Sequence, residues 1–242
     1  MWSRVNTKRR FKKGLAEVSD HLEFVKFQRN AGSNIETSVR CALRCPQCQR
    51  AWLGFGKTHP RYQEIKTRIN EGGDLAIEDF AKIIKFSNRN VNLCGQISDP
   101  IYWPALKDAV IMMKDYPFKR LIVSTAGHQK NIEWYQDIYS VCPKNVVWKF
   151  GLDGIGKTSE IYRKGQNSEL IWEAMLLAKD MGLQVEWQFI VFEHNVLELE
   201  EAKLIANEHN IPMIIIATDR DFNGVKPPKG WKAARNKVEI RA

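Results

Sequence analysis

The chain has 242 residues, 44% of them hydrophobic, so it can bury one sizeable core, and an α/β barrel of this length needs no second domain. No apolar run approaches the ~18–20 residues of a membrane span, and residues 1–15 are too basic for a secretory signal, so a cytoplasmic, reducing setting with no membrane partner is expected. The net charge of +9 lies mostly at the ends, where "SRVNTKRRFKKG" holds no acid and "KPPKGWKAARNKVEIRA" holds one.

Taken in chain order, "NIETSVR" alternates Ile35, Thr37 and Val39 as a half-buried strand does, and "LAIEDFAKIIKF" sets Leu75, Phe80, Ile83 and Ile84 at helical spacing. "VNLC" reads as a short strand, "YWPALKDAVIMMK" as a helix with Trp103, Leu106, Val110 and Met113 on one face, and "RLIVST" as the next strand. Then come a weaker helix in "IEWYQDIYS", a strand in "VVWKFGL", a helix in "SELIWEAMLLAKDM", a strand in "QVEWQFIVF", a helix in "VLELEEAKLIANEH" and a buried strand in "PMIIIAT". Residues 49–74 show no clear element and are expected to cover the site.

Six strands alternating with five helices imply parallel pairing through crossover helices. The expected fold is α/β, a partial (β/α)6 TIM-like barrel with its site at the strand C-terminal ends; a doubly wound sheet is the alternative. The expected division is a basic N-terminal segment (1–33), a core barrel (34–218) and a basic C-terminal tail (219–242). The plain reading of the basic ends is solvated tails, and the sharper one is a salt-dependent contact with nucleic acid or an acidic peptide.

Three of the five cysteines, Cys41, Cys45 and Cys48, form C-x3-C-x2-C directly after the first strand. Three thiolates at this spacing can hold three irons of a 4Fe-4S cluster and leave the fourth iron open to a non-protein ligand. A structural zinc site wants four ligands, and the fourth would have to be Cys94, Cys142 or His59.

"CALRCPQC" at the end of a first strand resembles the signature of the radical S-adenosylmethionine (SAM) superfamily, and the resemblance runs over about residues 35–217. Within it the chain resembles a branch of peptide-modifying and uncharacterised enzymes. "LCGQISDP" is similar to the family's glycine-rich stretch that meets the SAM amino group, with Gly95 allowing close backbone approach and Gln96 or Asp99 accepting from the ammonium. As an ordinary turn, the same stretch would use Asp99 as an N-cap. "IVSTAG" is similar to the family's S-T-N-G, leaving Ser124 to reach ribose or carboxylate.

"FGLDGIGKTSEIYR" resembles the fourth-strand segment, which implies that Asp153 points into the barrel mouth and Arg163 pairs with the SAM carboxylate. Gln47 stands where the family carries an aromatic residue against adenine, and Gln188 on the fifth strand faces the mouth. The resemblance further implies a 4Fe-4S cluster and SAM as cofactors, and an external flavodoxin- or ferredoxin-like electron donor. The implied reaction is reductive cleavage of SAM to methionine and a 5′-deoxyadenosyl radical that abstracts hydrogen from a substrate, a peptide by analogy. No cysteine follows Cys142, so ligands for an auxiliary cluster are missing.

Two rival readings carry their own discriminators. Gly151 to Thr158 spells G-x-x-x-x-G-K-T, a phosphate-binding loop in which Lys157 would reach phosphates, Thr158 would hold magnesium and Asp219 would be sought as the magnesium carboxylate. Gly165 and Asn167 limit the helix such a loop requires. A non-enzymatic metal-binding adaptor acting on nucleic acid through the basic ends would take up zinc and stay colourless. His194 is a lone histidine, and no residue is singled out as catalytic acid or base.

Overall fold

The computed structural model describes residues 33–51, 53, 61–87, 90–127, 129–218, 221 and 224–229, and the backbone of 238–240. The basic segment up to residue 32, His59, Asp219 and most of the C-terminal tail lie outside the described residues. Six strands pair in chain order, all parallel: β1 (Ser33–Ile35), β2 (Asn90–Leu93), β3 (Arg120–Thr125), β4 (Val146–Gly151), β5 (Gln184–Val191) and β6 (Met213–Ala217). β1 and β6 do not meet, so the sheet curls into a half-barrel instead of closing. A seventh strand, β7 (Val238–Ile240), lies within the segment read as a basic tail and pairs antiparallel with β6.

The helices are α1 (Tyr62–Glu71), α2 (Ile77–Phe86), α3 (Leu106–Met112), α4 (Ile132–Val141), α5 (Thr158–Tyr162), α6 (Ser168–Asp180) and α7 (Leu199–Glu208). No helix among the described residues is long and apolar enough to cross a membrane. α1 falls where the sequence shows no clear element. It buries only Ile65, so it presents no apolar stripe by which it could be recognised. The first strand is shorter than "NIETSVR" suggests, because Thr37 and Val39 bond outside the sheet: Thr37 accepts from Leu75 N–H at 2.9 Å and the Val39 carbonyl from Arg50 Nη1 at 2.6 Å.

Alternation along the strands sorts the two faces. On β5, Val185, Trp187, Phe189 and Val191 are buried, while Gln184, Glu186, Gln188 and Ile190 stay partly open on the other side. The buried face carries the core under the helices, where edge-on rings interlock: Phe80 with Trp103 at 5.3 Å, Tyr139 with Trp148 at 5.0 Å and Trp172 with Trp187 at 5.4 Å. The concave face is polar. Ser124 donates to Asn92 Oδ1 at 2.9 Å, Asn92 donates to Asn34 Oδ1 at 2.8 Å, and Lys149 pairs with Glu186 at 3.2 Å.

Candidate functional site

The loop after β1 turns tightly, with Cys48 N–H donating to the Cys45 carbonyl at 3.1 Å and Ala51 N–H to the Cys48 carbonyl at 2.9 Å. Long-range bonds fix it to the barrel. Arg50 Nη1 spans the Val39 and Ile97 carbonyls at 2.6 and 2.9 Å, and Arg44 N–H donates to the Lys164 carbonyl at 2.9 Å. Cys41, Cys45 and Cys48 together line two adjoining cavities. One, of about 460 Å³, is walled by the loop itself, including Leu43, Arg50 and Ala51. The other, of about 370 Å³, opens at the C-terminal ends of β2 to β5 and is lined by Gly95, Gln96, Asp99, Ser124, Arg163 and Gln188.

Six of the eight cofactor-binding residues expected from the sequence thus meet the cysteines at one cavity, and two do not. Gln47 is buried and donates from Nε2 to the Val225 carbonyl at 2.9 Å, away from the cavity. Asp153 is fully buried behind Arg163, so it does not point into the mouth as expected. Its Oδ2 accepts from Arg163 Nε at 2.7 Å and its Oδ1 from Ile190 N–H at 2.7 Å. The reason is the sharp turn at Leu152 and Asp153, which the Asn195 amide and the Ser159 hydroxyl hold from either side. Asn195 Nδ2 donates to the Asp153 carbonyl at 2.8 Å, and Asp153 N–H donates to Ser159 Oγ at 2.9 Å.

Asp99 performs the capping role that an ordinary turn would give it, and adds a bridge. Its Oδ1 accepts from Ile101 N–H at 3.2 Å and the Thr125 hydroxyl at 2.7 Å, and its Oδ2 from Ala126 N–H at 2.8 Å. Burial pushes this carboxyl up, while those bonds and the Arg163 charge pull it down. Gln96 is exposed beside it and accepts from Gln49 Nε2 at 3.2 Å. Gly95 is required by packing, since a Cβ there would meet the Ser98 carbonyl oxygen at 2.4 Å.

Arg163 presents its guanidinium to the cavity with only 14% of the side chain exposed. Burial lowers its pKa, and the facing Asp153 carboxylate, together with Cys45 and Tyr162, more than offsets that, so it stays charged. Gly151 makes room for it, since a Cβ there would lie 2.7 Å from Arg163 Nη2. Of its three guanidinium nitrogens only Nε is hydrogen-bonded among the described residues, and the group lies over the Tyr162 ring at 5.5 Å, with Tyr162 also lining the cavity.

The donor set fits an iron–sulfur cluster in its chemistry. Burial first and the Asp99 charge second push the Cys41 thiol up to about 12, and burial pushes Cys45 up to about 11 against the pull of Arg163. Such thiols keep their protons until a metal replaces them. Among the described residues no group of three His, Cys, Asp or Glu side chains is arranged to hold a single metal ion. A cluster, whose irons each take a separate thiolate, does not require that arrangement. Cys94 lines the inner cavity, whereas Cys142 sits beyond α4 and accepts from Trp148 Nε1 at 3.4 Å.

The phosphate-loop reading meets an obstacle in the structure. Glu198 occupies the loop, its Oε2 accepting from Ile155 N–H at 2.8 Å and its Oε1 from the Thr158 hydroxyl at 2.6 Å. An amide and a hydroxyl that should face phosphate and magnesium are bonded to a carboxylate, and the following helix α5 has only five residues. Lys157 is exposed.

Several residues that shape the site carried no sequence signal. Gln166 joins two loops, its Nε2 donating to the Ala126 and Gly151 carbonyls at 2.7 and 3.0 Å while its Oε1 accepts from the Ser159 hydroxyl at 2.7 Å. Lys149, which also lines the cavity at the strand ends, belongs to the same group.

No family model and no curated protein matches the sequence. Solved structures share the fold. Streptococcus suis SuiB bound to S-adenosylmethionine has a TM-score of 0.59 at 11% identity, over 91% of this chain and 49% of that one. SuiB bound to precursor peptide SuiA gives 0.58 at 11% identity, over 84% and 44% of the two chains. The structure of anSMEcpe with bound AdoMet and Kp18Cys peptide gives 0.52 at 12% identity, over 80% and 54%. The chain spans about half the length of these neighbours.

Proposed function

We propose, from a half-barrel fold that the chain shares with radical SAM enzymes, that it is a radical SAM enzyme acting on a peptide. The observation that carries this reading is the convergence of the Cys41, Cys45 and Cys48 sulfurs and the Arg163 guanidinium on adjoining cavities at the C-terminal strand ends. Cys41, Cys45 and Cys48 would hold a 4Fe-4S cluster, which would supply the electron for reductive cleavage of SAM.

The chain's own residues bind and orient. Arg163 offers two N–H-bearing nitrogens to the SAM carboxylate, and Asp153 fixes the plane of the guanidinium from behind. Gln96 is the better placed of the two candidates for the SAM ammonium, because it is exposed and its Oε1 carries one bond, from Gln49, whereas the buried Asp99 carboxylate already serves Ile101, Thr125 and Ala126. Ser124 and Gln188 line the same cavity and supply polar contacts to the ribose side. Gln47 and Asp153 act behind the cavity wall. A peptide substrate is supported by the peptide-bound neighbours and by the polar concave face on which Lys149 and Glu186 lie.

Anaerobic reconstitution with iron and sulfide tests the reading. A brown protein that forms 5′-deoxyadenosine from SAM under a strong reductant supports it; a colourless protein that takes up zinc instead overturns it.

A further inference from the structure

On the convex side of the sheet, opposite the cysteine cavity, a groove of about 260 Å³ opens between the first turn of α6 and the last turn of α7. Its floor is aromatic. Trp172 packs edge-on against Trp187 at 5.4 Å and against the His209 ring at 5.4 Å, with Ile155 and Ile205 at the sides. Trp187 is buried, its indole N–H bonded to the Leu152 carbonyl at 2.8 Å, and it backs Trp172, the partly exposed indole of the floor.

The rim is acidic. Glu169 and Glu208 stand exposed at the mouth. Behind the walls, Glu160 accepts from Ser168 Oγ at 2.8 Å, and Glu198 accepts from Ile155 N–H at 2.8 Å. Among the described residues none of these four glutamates forms an ion pair. Two of the amides that open α6 are taken as well: Ser168 N–H by Glu160 and Leu170 N–H by Asn167. The C-terminal end of α7 adds negative potential beside Glu208.

We propose that this groove binds a cationic side chain, arginine or lysine, presented by a peptide partner. The charge complementarity is local, because the chain as a whole carries +9 while the carboxylates lining this groove, Glu169 and Glu208, have no lysine or arginine beside them in its lining. A cation over an indole gains from the ring quadrupole, its aliphatic stem covers Ile155 and Ile205, and its head reaches the two rim carboxylates. The volume suits one long side chain. The glycine-rich loop that spells a phosphate motif forms one wall of a site of the opposite charge preference.

Calorimetric titration of the full chain with N-acetyl-arginine amide and N-acetyl-lysine amide, against N-acetyl-citrulline amide, tests this. Saturable binding of at least one cation is expected, weakened by salt and roughly tenfold weaker for the citrulline probe. The double variant Glu169→Gln/Glu208→Gln, which changes only exposed carboxylates, should bind the cations roughly tenfold more weakly. Its thermal melt and SAM titration should be unchanged, because the SAM cavity lies on the other face; that separates this proposal from the enzymatic one. Equal binding of citrulline, an unaffected double variant or absence of saturation overturns it. So does concentration-dependent self-association that the double variant loses, which would assign the groove to a second copy of the chain.

Discussion

Arg163 is held by one nitrogen and presents two, so its replacement has two separable consequences. Arg163→Ala strands the fully buried Asp153 carboxylate, a change that costs about 3–5 kcal/mol when a buried pair loses one partner. Arg163→Lys keeps the charge but not the fork, and SAM affinity should fall roughly ten- to a hundredfold. Lys157→Ala, at an exposed position, should change it by less than roughly threefold. SAM titration of each reconstituted variant, with iron content checked, tests the ranking, and the reverse order would revive the phosphate-loop reading. His194 gives a pH-dependent prediction. Burial holds its pKa below the usual histidine range while the ring stacks on Phe192 at 5.3 Å. The unfolded chain therefore binds the proton first as pH falls, so the contribution of His194 is present above about pH 6.5 and is lost on acidification. Between about pH 7 and 5 the wild-type melting temperature should drop more steeply than that of His194→Gln.

The turn from β4 into α5 shows why an element's letters can mislead. Gly151, Gly154 and Gly156 answer local needs: Gly151 accommodates the Arg163 guanidinium, Gly154 sits at φ +150° against Ser159 and Gly156 at φ +53°. These needs generate the spelling of a phosphate loop without its function, because Glu198 arrives from the segment before α7 to take the Ile155 amide and the Thr158 hydroxyl. Glu198→Ala should lower unfolding stability by about 1–3 kcal/mol in chemical denaturation, from two polar groups left without their partner. Neither the wild type nor this variant should bind ATP with magnesium in calorimetry. The longer elements were legible because alternation and helical spacing are local and strong: "RLIVST" is β3 to the residue, and "SELIWEAMLLAKDM" overruns α6 by one. α1 was not, since a helix that buries a single isoleucine has no stripe to read.

Across the whole molecule the three thiols and the four segments that face them come from positions as far apart as Cys41 and Gln188, brought together at one end of a parallel sheet. Iron per chain after anaerobic reconstitution should be about four, should fall sharply in Cys45→Ala and should persist in Cys94→Ala and in Cys142→Ala, whose sulfur lies with Trp148 away from the loop. Loss of iron in Cys142→Ala would sink the three-thiol assignment. The sequence by itself determined the alternation of strands and helices, its parallel pairing and the C-x3-C-x2-C loop, because crossover connections force parallel strands and ligand spacing is written along the chain, whereas the sequential order that separates a half-barrel from a doubly wound sheet came from the tertiary structure. Only the tertiary structure decided which side chains face the cavity. Gln47 and Val225 are 178 residues apart, and the bond between them turns Gln47 out of the site. Asp99 is drawn to Thr125 and Asp153 to Arg163, and Gln166 ties together loops that sequence separates. A buried polar atom takes whatever partner the barrel's curvature brings within reach, and that partner has no fixed spacing to read.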